Sequence, residues 1–174
     1  MVPLQHQAEV YDMPDQAPTE RELLGIAPLF FVADVTKAAA YYRDVLGFAF
    51  ERIWGDPPRF CMPHRDWLTV MLSEVDDKTR IRPNGSDGCS WDAYVWVHDA
   101  DALFAAFKAA GALIVHGPVD RDYYGNREFA VRDLDGYIIA FAHDIAMKAK
   151  REKKKSSWTS RKTISSGELS ALIS

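Results

Sequence analysis

VAD at 32–34 and VHD at 97–99 stand 65 residues apart, and the same order of elements surrounds each. IAPLFFVAD is an apolar strand. Asp34 or Thr36 then caps a helix whose apolar face is Ala38, Tyr41, Tyr42 and Val45, at the spacing of one helix side. Gly47 ends it. FAFERIW, RFCMP and WLTVMLSE follow as three more strands, with turn signals at Gly55–Pro58 and Pro63–Asp66. The scheme then restarts. WDAYVWVHD is a strand, Asp99 or Asp101 caps a helix with Leu103, Phe104, Phe107 and Ala110 on its apolar face, and Gly111 closes it. ALIVHGP, NREFAVRD and GYIIAFAHD complete the second set. Asp34 to Gly47 spans 13 positions and Asp99 to Gly111 spans 12. Such self-similarity constrains the fold more than any single element. It predicts an α+β chain of two βαβββ modules, each laying a curved mixed sheet against its own helix and facing the other across a cleft.

The expected organisation is an N-terminal arm (1–25), a first module (26–75), a linker (76–90), a second module (91–145) and a basic C-terminal tail (146–174). The arm carries Pro3, Pro14 and Pro18, with a short helix expected at Thr19–Leu24. A Ser–Glu capping box at Ser165–Glu168 signals a last short helix. No apolar run reaches the ~18 residues of a membrane span. The N-terminus lacks a basic start and an apolar core, so a cytoplasmic protein is expected. Cys61 and Cys89 form no CxxC pair, and two free thiols in a reducing compartment are expected.

The charge is unevenly spread. Eight Lys and Arg lie between Lys148 and Lys162, whereas residues 1–147 hold 13 basic and 23 acidic side chains, a formal charge of −10. A body this acidic repels nucleic acid and favours cationic ligands. The tail reads as a solvated, partly helical end, with contact to nucleic acid or an acidic partner as the lesser expectation.

DVTKAAAYYRDVLGF, WDAYVWVHDADALFAAF and above all YGNREFAVRDLDGYIIAF resemble the vicinal-oxygen-chelate superfamily, in its glyoxalase and bleomycin-resistance branch. The resemblance covers roughly 26–145. It implies paired βαβββ modules, usually in a homodimer, and functions that range from metal-dependent lyases and dioxygenases to proteins that only sequester a drug. In the enzymes, His, Glu or Gln from the first and fourth strands of each module hold a divalent metal. Carried over by position, those four sites are Ala27, Met71, Asp92 and Ala140. Two alanines and a thioether leave one carboxylate, too little for a catalytic Mn, Fe or Zn. Neither a metal nor another cofactor is therefore expected, and no catalytic residue is assigned.

If Asp92 points into the cleft, alternation sends Tyr94 and Trp96 the same way. Phe31 then shares a face with Leu29 and Ala27, Trp67 with Met71, and Ile138 with Ala140. The opposite set, including Phe30, Val32, Leu68, Leu72, Val95, Ile139 and Phe141, is apolar and packs on the helices. The expected ligand wall is thus Phe31, Trp67, Met71, Asp92, Tyr94, Trp96, Ile138 and Ala140, with Glu128 at its rim. Aromatic rings around a carboxylate suit a planar, cationic heteroaromatic compound. A dimer partner or the arm covering those rings is the competing account, as a bond from Asp92 to a loop N–H or an arginine is for that carboxylate. The function expected is non-catalytic sequestration of a small molecule in a homodimer cleft, without membrane or nucleic-acid partners. The alternative is a metal-dependent glyoxalase- or dioxygenase-type enzyme with ligands drawn from His64, Glu74, His98, Glu128 or His143.

Overall fold

The computed structural model describes residues 24–85 and 91–154. The arm before residue 24 and the Ser165–Glu168 capping box lie outside them. Two four-stranded sheets are built to one plan. The first orders its strands β1 (Leu29–Val32), β6 (Met71–Glu74), β3 (Phe60–Cys61) and β2 (Ile53–Trp54). The second orders β7 (Ala93–Trp96), β10 (Ile138–Asp144), β9 (Asn126–Arg132) and β8 (Leu113–Arg121). In each, the first strand runs parallel to the last and the others pair antiparallel. The α+β fold of paired βαβββ modules is therefore as expected. The register is equivalent too: Leu29 lies opposite Met71, and Tyr94, 65 residues on, lies opposite Ala140.

Local chemistry sets the helices. The Asp34 carboxylate accepts from Lys37 N at 3.0 Å and caps α1 (Val35–Asp44). Asp99 accepts from the N–H groups of Asp101 and Ala102 and caps α2 (Ala100–Ala109). Each occupies an orphan donor of the first turn. Gly47 and Gly111 follow the helices with φ of 69° and 87°, where a side chain would be strained.

The first module departs from its expected strands. WLTVMLSE does not run straight. Leu68–Thr69 (β5) pairs with His64–Arg65 (β4) as a separate two-stranded hairpin, turned at Asp66 with φ 52°. Val70 then donates to Pro63 O before β6 begins. Pro63 has no N–H to continue a ladder, so the pair bends there. Leu68, expected on the helix side, is consequently 40% exposed. Of FAFERIW only Ile53–Trp54 joins the sheet, while Ala49 bridges to His64.

One core joins both modules. Phe30, Val32, Ala38, Tyr42, Leu46 and Leu72 from the first pack with Phe107, Phe129, Val131, Ile139 and Phe141 from the second. Burying each large side chain stabilises by about 1.5–3 kcal/mol. The modules are also tied by the turn between β9 and β10. Asp133 accepts from Tyr137 N at 2.9 Å, Asp135 N at 3.0 Å and the Tyr42 hydroxyl at 3.1 Å. The Tyr137 ring stacks on Phe30 at 4.3 Å. Its hydroxyl accepts from Phe31 N and donates to Phe31 O, and Asp135 accepts from Ala33 N. This turn thus closes the free edge of β1.

Burial pushes the Asp133 carboxyl up to about 6, against its three hydrogen bonds. Its folded state favours the proton, so its contribution is fully present below the ordinary value of 3.8 and is lost as pH rises through about 6. Asp133→Asn is expected to remove this slope. Denaturant unfolding at pH 4 and pH 7 checks it: the wild type loses on the order of 2–3 kcal/mol more between the two than the variant does.

Candidate functional site

Alternation along β7 puts Tyr94 and Trp96 on one face. Trp91, just before the strand, adds a third ring. Their centroids lie 5.3 Å and 5.4 Å apart, in edge-to-face contacts at 70° and 67°. Trp96 is 64% exposed, so the row opens to solvent at that end. Beneath it Ile138, Ala140 and Ala130 form a small second cluster, covered by Trp91, Tyr94 and Val115. Ile138 and Ala140 are therefore the support of the aromatic row.

Glu128 corrects an expectation. It is fully buried, not at a rim. It lies opposite Ala142 on β10, which places it on the face of Ala140 and Ile138. One oxygen accepts from Arg121 Nε at 2.8 Å. The other accepts from the hydroxyls of Tyr94 at 2.9 Å and Tyr124 at 2.8 Å. Asn126 Nδ2 donates to the Tyr94 oxygen at 3.0 Å. Burial raises the Glu128 pKa, but the bonds from Arg121, Tyr124 and Tyr94 outweigh it and hold the group below its ordinary 4.5. Burial, with the neighbouring carboxylate, pushes the Tyr94 hydroxyl up to about 12. The charge on this face is thus an ionised carboxylate inside a cage of phenols, capped by a guanidinium.

Asp92 was expected to be that charge. Instead its two oxygens accept from Asn84 N and Ile138 N, both at 2.7 Å. It clasps the linker's end to β10, as the competing account of it holds.

The remaining expected residues fall elsewhere. Phe31 and Met71 lie half-buried on the first sheet, with the Arg80 guanidinium 4.3 Å above the Phe31 ring. Trp67 stands at the tip of the β4–β5 hairpin, 99% exposed. Trp67 and Trp96 both line a groove of about 690 Å³, together with Leu68, Val97, Leu103 and Phe141. Rings from both modules thus line one groove.

The four positions that correspond to metal ligands do not fit a metal. Ala27, Met71 and Ala140 offer no hard donor, and both oxygens of Asp92 hold backbone N–H groups. The alternative set does not converge either. Glu74 accepts from Val35 N, His98 lies against Arg151, and Glu128 is in its cage. Among the described residues, Asp99, Asp101 and His143 bring donor atoms within 4.8 Å of one another. Yet Lys148 Nζ already sits 2.8 Å from Asp99 and 3.3 Å from Asp101, Arg127 holds Asp101, and His143 Nδ1 accepts from Ala100 N. This cluster is built around an ammonium.

Sequence reasoning passed over Trp91, Arg121, Tyr124 and Asn126. Asn126 was within reach, being two residues from Glu128 on an alternating strand. Arg121 was not, since it reaches Glu128 through the β8–β9 pairing of Arg121 with Asn126.

The sequence profile of the Glyoxalase/Bleomycin resistance protein/Dioxygenase superfamily matches residues 25–141. Bleomycin resistance proteins of Geobacillus stearothermophilus and Staphylococcus aureus are each 26% identical over 141 residues, 71% of this chain and 98% of theirs. The crystal structure of TioX from Micromonospora sp. ML1 matches with a TM-score of 0.56 at 25% identity, covering 69% of this chain and 98% of that one. A glyoxalase-related enzyme from Clostridium phytofermentans gives a TM-score of 0.55 at 16% identity over 76% of this chain and all of its own, a likeness of fold alone.

Glu128→Gln tests the cage. The folded carboxyl lies below 4.5, so its contribution is full above that value and is lost as pH falls below it through the lower folded pKa. At pH 7 the variant is expected to lose about 2–3 kcal/mol in urea unfolding, less than for a pair buried on both sides because Arg121 is half in water. The gap narrows below pH 4.

Proposed function

Because the chain belongs to the glyoxalase/bleomycin resistance protein/dioxygenase superfamily, we propose that it is a non-catalytic binding protein that sequesters a planar, cationic aromatic compound. One observation carries this reading: the edge-to-face row of Trp91, Tyr94 and Trp96 beside the buried, ionised Glu128. Stacking and cation–π attraction act along the rings, and the carboxylate supplies a fixed negative charge at one end. The formal charge of −10 over residues 1–147 draws cations toward it. The absence of a fitting donor set at Ala27, Met71, Asp92 and Ala140 favours binding over the metal-dependent alternative.

The contact set is Tyr94 and Trp96, with Phe31, Trp67 and Met71 from a second copy and Ile138, Ala140, Asp92 and Glu128 as support. A homodimer accounts for apolar side chains that one chain leaves in water, Trp96 and Leu29 among them, 64% and 52% exposed. Nucleic acid is not the partner, because the acidic body repels it. No helix among the described residues is long and apolar enough to cross a membrane.

Titration with bleomycin and with simple planar cations is expected to quench tryptophan fluorescence saturably, at one ligand per chain. Trp96→Ala weakens binding by about tenfold or more, as loss of one stacking partner costs roughly 1.5 kcal/mol. Sedimentation of the free protein gives a dimer. Linear, unsaturable quenching with every compound sinks the sequestering role.

A further inference from the structure

The buried carboxylate that a cationic ligand needs already holds a cation. Glu128 has no exposed surface, yet its partner Arg121 is 41% exposed. Of its three donors, Tyr94 belongs to the aromatic row beside it. Arg121 ends β8 and Tyr124 lies in the turn that follows, and both are partly open to water. That turn is compact: Tyr124 N and Gly125 N both donate to Arg121 O, and Gly125 takes φ 71°. Ile145 N donates to Gly125 O and ties the turn to the segment after β10. Arg121 thus covers Glu128 with a half-exposed side chain, next to a turn whose backbone is held by these bonds.

A carboxylate without exposed surface is not stable without a counter-charge. Both Glu128 oxygens are already engaged, one by Arg121 and the other by the two phenols. Arg121 binds it through Nε alone, not through the two-pronged contact that makes arginine–carboxylate pairs hardest to open. From these contacts, and resting on the binding role proposed above, we infer that Glu128 is a cation-exchange site. Arg121 is its resident counter-ion in the free protein. The amine, amidine or guanidine of a planar ligand stacked on Tyr94 and Trp96 takes its place, and the Arg121 side chain swings into water. Arg121 is then a specificity-determining residue: it keeps the site neutral when empty and admits only ligands that bring a positive charge of their own.

Exchange has a quantitative consequence. If Arg121 occupies Glu128 about nine-tenths of the time, it lowers apparent affinity for a competing cation about tenfold. The test uses 9-aminoacridine, a planar cation at pH 8, and acridine, its neutral counterpart, on the full chain. Arg121→Gln is expected to bind 9-aminoacridine about tenfold tighter than wild type and acridine unchanged. Arg121→Lys, which keeps the charge, behaves like wild type. Glu128→Gln loses the preference for the cation. Equal or weaker binding of 9-aminoacridine by Arg121→Gln, or equal shifts for both probes, overturns the exchange. A second measurement needs no variant: the 15N signal of the Arg121 Nε–H is expected to move to a solvent-exposed position on saturation with 9-aminoacridine and to stay in place with acridine. An unmoved signal at saturation also overturns it. Should neither probe bind the wild type, the binding role falls and the exchange with it, whereas binding without discrimination removes the exchange alone.

Discussion

The carboxylate of Asp133 ties the two modules together. It gathers the Tyr42 hydroxyl from α1 and the backbone of its own turn, and the turn then presents Tyr137 to the open edge of β1. A strand edge with unpaired donors and acceptors invites other chains. Here the invitation is answered within the chain by a phenol that both accepts and donates. The arrangement places a polar group deep in an apolar junction, and the cost appears as its raised pKa. What it secures is orientation: with β1 clamped, the helix-side faces of both sheets share one core, and the other faces are left to carry function.

Much of this was legible in the sequence because it depends on periodicities of short range. The VAD and VHD repeats fell on equivalent strand ends, and the aspartates closing them are the helix caps. Alternation sorted Phe30, Val32, Leu72, Ile139 and Phe141 into the core correctly. It failed where alternation itself breaks. Pro63 and the left-handed Asp66 bend the first module's last strand pair into a separate hairpin, and so Leu68 and Trp67 leave the sheet.

The site was harder to read, and Glu128 shows why. Its face follows from strand period, but its burial depends on Arg121 and Tyr124, which a hairpin of unknown register brings back over it. Asp92 shows the converse. Its place on the strand is right, yet two backbone N–H groups claim it, and nothing local in the sequence says so. A side chain's direction belongs to its own strand, whereas its availability belongs to its neighbours. The basic tail illustrates the same point, since Lys148 is the cation around which Asp99 and Asp101 assemble.

The equivalent register of Met71 and Ala140 has an evolutionary meaning. Two halves of common plan stand on equal terms as scaffolds, but only one has taken up polar work. The second sheet's outer face carries Glu128, Tyr94 and Asn126 in a mutually dependent set, where each change strands a partner. The matching face of the first sheet offers Leu29, Phe31, Met71 and Ser73, none of them ionisable. Sequence drift among descendants should therefore be lopsided. A change on the first sheet's outer face strands no ionised partner, while the second is held by its own interdependence.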